Sequence, residues 1–262
     1  MDTAARAGVA PGTVTFVGAG PGDPDLMTIK GRKAIEEAAL VLYAGSLVPR
    51  EVVSSAAPHA MVVDSAPLTL EQCHALVRAT ALEGRPVARV HTGDPSLYGA
   101  LREQAALLDA DGIPWRVIPG VTAACAAAAA GGITFTVPEV TQSLIISRLE
   151  GRTPVPARER LHLLAQHKAS MAVYLSAASA QALQDELLRS LPPDTPIFCA
   201  HMVSWPEEQL YWTSLGELAQ CITSHNLTRQ TVFLVLPAEN SQGAPSRLYA
   251  ADFAHGYRPA QS

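Results

Sequence analysis

His91-Thr-Gly-Asp-Pro-Ser-Leu-Tyr-Gly-Ala100 follows an apolar run from Pro86 to His91 and leads into a helical pattern from Leu97 to Leu108. A strand that ends on a Gly-Asp-Pro turn and gives way to a helix is half of a βα unit. The same pattern appears toward the N-terminus. Thr13 to Val17, rich in β-branched residues, ends at Gly18-Ala-Gly-Pro-Gly22, and Ile29, Ala34, Ile35 and Ala38 recur beyond it at helical spacing. Ala39 to Tyr43 reads as a second strand and Leu70 to Leu82 as a helix. On the other side, Trp115 to Ile118 reads as a strand, and Pro119-Gly120 breaks it before an alanine-rich helix that begins near Thr122. Strands alternating with helices predict a parallel sheet.

In the second half, apolar runs at Ser143 to Ile146, Met171 to Leu175, Pro196 to Ala200 and Thr231 to Leu236 predict strands, with a helix over Ala178 to Leu188. The hairpin-like Gln209 to Thr213 and the short spacings suggest mixed strand directions there. The expected organisation is an α/β lobe over residues 13–118, a second α/β lobe over 119–240, and a tail over 241–262 lying on the surface.

Composition narrows the class. Apolar residues make up 48% of the 262 and charged residues 16%, so the chain is globular and not disordered. A net charge of −5 without a Lys/Arg block gives no electrostatic support for nucleic acid or an anionic membrane as partner. The most apolar run, Val121 to Ala130, is far short of the roughly 20 residues a membrane span requires, and reads as a buried helix. Cys73, Cys125, Cys199 and Cys221 form no Cys-x-x-Cys pair, and Met1 to Gly12 has no apolar signal core, so reduced thiols and a cytoplasmic location are expected. The eight histidines show no metal-binding spacing, and no protein-bound metal is expected.

Three strand exits can carry chemistry. Gly18-Ala-Gly-Pro-Gly22-Asp23 invites comparison with a dinucleotide fingerprint, but Asp23 occupies the third glycine position and Pro21 removes a backbone donor. A carboxylate there suits a pyrophosphate poorly. A tight structural turn or a nucleoside ligand without phosphates both remain open. Thr92-Gly93-Asp94-Pro95 sits where α/β sheets commonly bind ligands, and it is equally a common Asp-Pro turn. At Pro119-Gly-Val-Thr-Ala-Ala124, Thr122 is either a helix cap or a ligand contact.

These three segments, in this order, resemble the tetrapyrrole (corrin/porphyrin) methyltransferase family, which the match follows from about Val14 to Arg258. Tyr43-Ala-Gly-Ser-Leu-Val48, Ser147-Arg-Leu-Glu-Gly-Arg-Thr-Pro-Val-Pro156 and the tail from Leu248-Tyr249 to His255-Gly-Tyr-Arg258 resemble its precorrin-4 carbon-11 branch. The resemblance implies two α/β lobes with S-adenosyl-L-methionine in a cleft between them, and a homodimer. It further implies methyl transfer to carbon 11 of precorrin-4 or cobalt-precorrin-4 in cobalamin biosynthesis, any cobalt arriving within the tetrapyrrole substrate. The alternatives are methylation at another position, as on uroporphyrinogen III, and a nicotinamide or non-catalytic tetrapyrrole-binding protein.

Matched residue by residue, the family's cofactor positions fall on Pro21, Thr92, Gly93, Asp94, Leu97, Thr122 and Ala123, and by weaker matches on Leu175 and Val203. Arg148 and Arg152 are the candidates for the substrate's carboxylates, with Lys168 and Arg50 behind them. Tyr43, Ser46 and Thr141 are candidates for contacting the macrocycle or removing a proton. Related uroporphyrinogen methyltransferases often carry an acid just after this tyrosine; Ala44-Gly45-Ser46 stands there instead.

Overall fold

The computed structural model describes residues 10–259 apart from 242, 245, 247 and 249. Residues 1–9 of the N-terminal stretch, and Tyr249 and 260–262 of the tail, therefore lie outside the described residues. The chain divides into two compact units. One holds the described residues through Ala126 together with Ser204–Glu207; the other holds Ala127–Val203 and the described residues from Glu208 on.

The first unit is built on five strands, β1 (Val14–Gly18), β2 (Leu40–Tyr43), β3 (Met61–Asp64), β4 (Val87–His91) and β5 (Trp115–Ile118). They form one all-parallel sheet in the order β3-β2-β4-β1-β5. Period-two alternation sends successive apolar residues to opposite faces, and both faces are covered. Val17, Val41 and Val90 pack with Ala34 and Ile35 of α1 (Ile29–Glu36), whereas Phe16, Leu40 and Leu42 pack with Val77 and Ala81 of α2 (Leu70–Leu82) and Leu108 of α3 (Leu101–Ala110). Each fully buried Val, Leu or Phe contributes about 1.5–3 kcal/mol through removal of apolar surface from water. A capping box fixes the start of α2: Gln72 N–H donates to Thr69 Oγ1 (3.3 Å) and Thr69 N–H to Gln72 Oε1 (2.9 Å).

α4 (Ala123–Gly131) follows, then the second unit's strands and helices: β6 (Leu144–Arg148), α5 (Leu161–Ala165), β7 (Ser170–Tyr174), α6 (Ala180–Leu188), β8 (Pro196–His201), β9 (Gln209–Ser214), α7 (Leu218–Ser224) and β10 (Thr231–Val235). Their sheet runs β6-β7-β10-β8-β9. β6 is parallel to β7, while β10 is antiparallel to both β7 and β8, and β8 to β9, so directions are mixed. Met171, Val173, Ile197, Phe233 and Val235 on one face bury Leu183 and Leu187 of α6 and Leu218 and Ile222 of α7.

Several local expectations need correction. The helix expected from Leu97 begins at Leu101, because Tyr98 (φ 56°) and Ala100 (φ 49°) adopt left-handed backbone that a right-handed helix cannot include. β3 is a strand that periodicity missed: Met61, Val62 and Asp64 are exposed at the sheet's edge, so no buried face marks it. The alanine-rich helix is buried only in part, with Ala124 and Ala126–Ala128 inside and Cys125, Ala129 and Ala130 exposed. Among the described residues, no helix is long and apolar enough to cross a membrane.

Candidate functional site

Because the first sheet is all parallel, the carboxyl ends of β4, β1 and β5 emerge side by side, and each leads into one of the three glycine segments. Their backbones then touch. Gly20 and Gly93 form an antiparallel bridge, with Gly93 N–H donating to the Gly20 carbonyl (2.7 Å) and Gly20 N–H to the Gly93 carbonyl (3.2 Å). Gly18 and Gly120 meet so closely that a methyl group on Gly18 would lie 2.5 Å from the Gly120 nitrogen, and one on Gly120 would lie 2.2 Å from the Gly93 carbonyl oxygen. No side chain fits at Gly18 or Gly120.

Asp94 ties the junction together. Its Oδ2 accepts from Gly120 N–H (3.0 Å), and its Oδ1 accepts from the Ser96 N–H (2.9 Å) and hydroxyl. Burial acts to raise its pKa, but the Ser96 hydroxyl, the Gly120 N–H and the Ser96 N–H outweigh that and hold the carboxyl below its ordinary 3.8. The turn and the inter-loop clamp are thus one carboxylate's work. Leu97 N–H closes the turn on the Asp94 carbonyl (3.1 Å), and the Thr122 carbonyl accepts from Ala126 N–H (3.1 Å) in the first turn of α4.

Asp23 N-caps a short 3-10 turn, Pro24–Leu26, with Oδ1 accepting from Asp25 N–H (2.8 Å), while α1 starts only at Ile29 behind its own Thr28 cap. The glycine loop therefore does not run straight into a helix N-terminus, as a pyrophosphate cradle requires. Residues 18–23, 92–98 and 119–123 contain no Lys or Arg and two carboxylates, Asp23 and Asp94. That donor set fits a neutral or cationic ligand.

Pro21, Thr92, Gly93, Asp94, Leu97, Thr122 and Ala123 all lie in these three loops of the first unit. Leu175 and Val203 lie in the second unit. Since β6, β7 and β8 all run in the same direction, Arg148, Leu175 and Val203 sit at or just beyond strand ends on one edge of that sheet. Leu175 is 68% exposed with φ 54°, whereas Val203 is buried.

Tyr43 ends β2, next to β4, and its carbonyl accepts from the Ser65 N–H (2.8 Å) and hydroxyl (3.0 Å). Ser46 is exposed. Asp64, at the end of β3, reaches this segment: its Oδ1 accepts from Gly45 N–H (2.9 Å). Arg89 extends this side: buried, it donates to the Leu42 carbonyl (3.2 Å), Ser65 Oγ (2.9 Å) and Gln104 Oε1 (2.9 Å). His91 is buried too, and burial followed by the Arg89 charge pushes its pKa down to about 3, so it is neutral. Thr141 belongs to the second unit, buried and paired through its backbone with Val137.

Arg148 donates to the carbonyls of Leu149 (3.3 Å), Thr153 (3.2 Å) and Pro154 (2.8 Å), folding the segment that follows β6 around its own guanidinium. Arg152, in that segment, is exposed. Replacing Arg148 with alanine should raise the rate of tryptic cleavage after Arg152 about tenfold, since three hydrogen bonds of about 0.5 kcal/mol each no longer oppose opening. Limited proteolysis measures this; an unchanged cleavage rate would show that the loop holds its shape without the arginine.

Sequence reasoning missed Ser204 and Trp205, which belong to the first unit although they follow β8. They touch the first glycine loop from 181 and 184 positions away. The available signal was a Ser-Trp-Pro triplet just past a predicted strand.

Comparison with known proteins identifies the family. The family model described as Tetrapyrrole (Corrin/Porphyrin) Methylases matches residues 13–219. A protein of Pseudomonas aeruginosa named precorrin-4 C(11)-methyltransferase is 42% identical over 250 residues, covering 95% of this chain and all of the relative. A solved cobalt precorrin-4 methyltransferase superimposes with a TM-score of 0.83 at 39% identity, covering 86% of this chain and 94% of the other. A uroporphyrin-III C-methyltransferase from Thermus thermophilus, solved with S-adenosylhomocysteine, gives 0.70 at 25% identity over 86% and 97%.

Proposed function

Since this chain belongs to the tetrapyrrole (corrin/porphyrin) methylases, we propose that it transfers a methyl group from S-adenosyl-L-methionine to carbon 11 of precorrin-4 or cobalt-precorrin-4, in cobalamin biosynthesis. The observation that carries this reading is the junction of Gly18, Gly93 and Gly120, clamped by Asp94 and built from loops that contain no Lys or Arg. It supports a nucleoside ligand with a positive charge and speaks against a dinucleotide. The carbon-11 assignment draws support from the full-length match to the Pseudomonas relative.

The bound donor supplies a sulfonium methyl that an electron-rich ring carbon can displace in line. The protein's contribution is then chiefly to hold the two reactants at near-attack distance. Pro21, Thr92, Gly93, Asp94, Leu97, Thr122 and Ala123 line the donor loops in this reading, with Leu175 and Val203 as further contacts. Asp94, held ionised, complements the donor's positive charge. Arg152 is the better placed of the two arginines to meet a substrate carboxylate, because Arg148 already serves three carbonyls. No side chain is assigned as general base; Tyr43, Ser46 and Thr141 are the candidates. The reading includes a homodimer, as the family resemblance implies, and a cytoplasmic location, which the cysteine spacing supports.

Calorimetric titration separates this reading from its alternatives. Saturable binding of S-adenosylhomocysteine without binding of nicotinamide dinucleotides is expected, and the reverse preference would overturn the proposal.

A further inference from the structure

We infer that Ser204 and Trp205 are positioning residues that hold the first glycine loop in its ligand-binding shape. The inference rests on the donor-site reading of that loop. Gly22 lies between two peptide groups, and each is fixed by one hydrogen bond from the Ser204–Glu207 segment of the same unit. On one side, Trp205 Nε1–H donates to the Pro21 carbonyl (2.9 Å); on the other, Asp23 N–H donates to Ser204 Oγ (2.9 Å).

The need for an external clamp follows from the residue it clamps. A methyl group on Gly22 would lie 2.2 Å from Trp205 Cδ1, so the indole packs directly on the glycine backbone and only glycine fits beneath it. Glycine is also the residue whose φ and ψ are least restricted. Left alone, Gly22 would let Pro21 and Asp23 swing independently, and Pro21 has no N–H with which to anchor itself. The two hydrogen bonds remove that freedom, because rotation about either Gly22 dihedral breaks one of them.

The clamping segment is itself held in unfavourable backbone. Ser204, its first residue, occupies the left-handed region (φ 67°). Side chains other than glycine, Asn or Asp persist there only when their surroundings impose it, and such positions cluster at ligand clamps. The strain brings the Ser204 hydroxyl and the Trp205 indole to the same short stretch of loop.

The test uses the whole 262-residue chain and calorimetric titration with S-adenosylhomocysteine. Trp205→Phe keeps an aromatic ring but deletes the donor together with the pyrrole edge that packs on Gly22, whereas Ser204→Ala deletes the acceptor alone. Affinity should fall about tenfold and about fivefold, the size of one lost hydrogen bond that leaves its partner unsatisfied. In turnover assays KM for S-adenosyl-L-methionine should rise by the same factors while kcat stays within about twofold, a split that a smaller folded fraction would not produce. Wild-type affinity in either variant, with circular dichroism unchanged, overturns the inference. If Trp205→Phe does not fold, Ser204→Ala alone decides. Wild-type protein that binds no S-adenosylhomocysteine overturns the donor reading and this role with it, whereas equal binding by wild type and variants overturns the role alone.

Discussion

Gly120→Ala is expected to weaken S-adenosylhomocysteine binding about a hundredfold and to lower stability to urea by about 3 kcal/mol, the upper end of the usual overpacking cost. The added methyl would stand 2.2 Å from the Gly93 carbonyl oxygen and 2.8 Å from the Gly18 carbonyl carbon. Both neighbours are backbone, so no side-chain rotation relieves the overlap. The third loop must move away from the other two, stretching the Gly120 N–H bond to Asp94. A displacement of about 1 Å at a binding site costs about a hundredfold in function. Denaturant titration and calorimetry on the same sample separate the two effects. Wild-type affinity in the alanine variant would show that the junction has no part in binding.

Asp94→Ala should weaken S-adenosylhomocysteine binding by at least about tenfold while destabilising the fold by about 2 kcal/mol, since hydrogen bonds to a charged group are worth about 1.5–3 kcal/mol and the freed N–H groups partly recover water. Removing the carboxylate releases Gly120 N–H and Ser96 N–H together. The pH dependence has a definite sign. The folded-state pKa of Asp94 is depressed, so its contribution is present above about pH 4, the unfolded-state value, and is lost as pH falls through the lower folded-state value. Acid unfolding curves of wild type and variant should therefore converge at low pH and diverge above it. Unchanged affinity would reduce Asp94 to its role in the turn.

These effects show why the three loops were legible in sequence and their mutual contact was not. Strand, glycine turn and helix are local grammar, and at His91–Leu108, Val14–Ile35 and Trp115–Gly131 it gave the parallel sheet and the edge where the loops emerge. The order of strands decides which loops are neighbours, and nothing in the sequence placed β1 between β4 and β5. Asp94 accordingly read as either a turn former or a ligand contact, when its two oxygens serve two different loops. Ser204, Trp205 and Asp64 escaped for the same reason: each acts on a loop far away in the chain, through a side chain whose own neighbourhood is unremarkable. The delayed start of α3 was hidden by the opposite problem, since Leu97 and Leu101 continue the helical spacing while the backbone at Tyr98 and Ala100 does not.

Methyl transfer to one carbon of a corrin precursor is directly measurable. Purified protein incubated with methyl-labelled S-adenosyl-L-methionine and either precorrin-4 or cobalt-precorrin-4 should give a product heavier by one methyl group, with the label at carbon 11 by NMR. No mass gain with either substrate, or label at a different carbon, would contradict it.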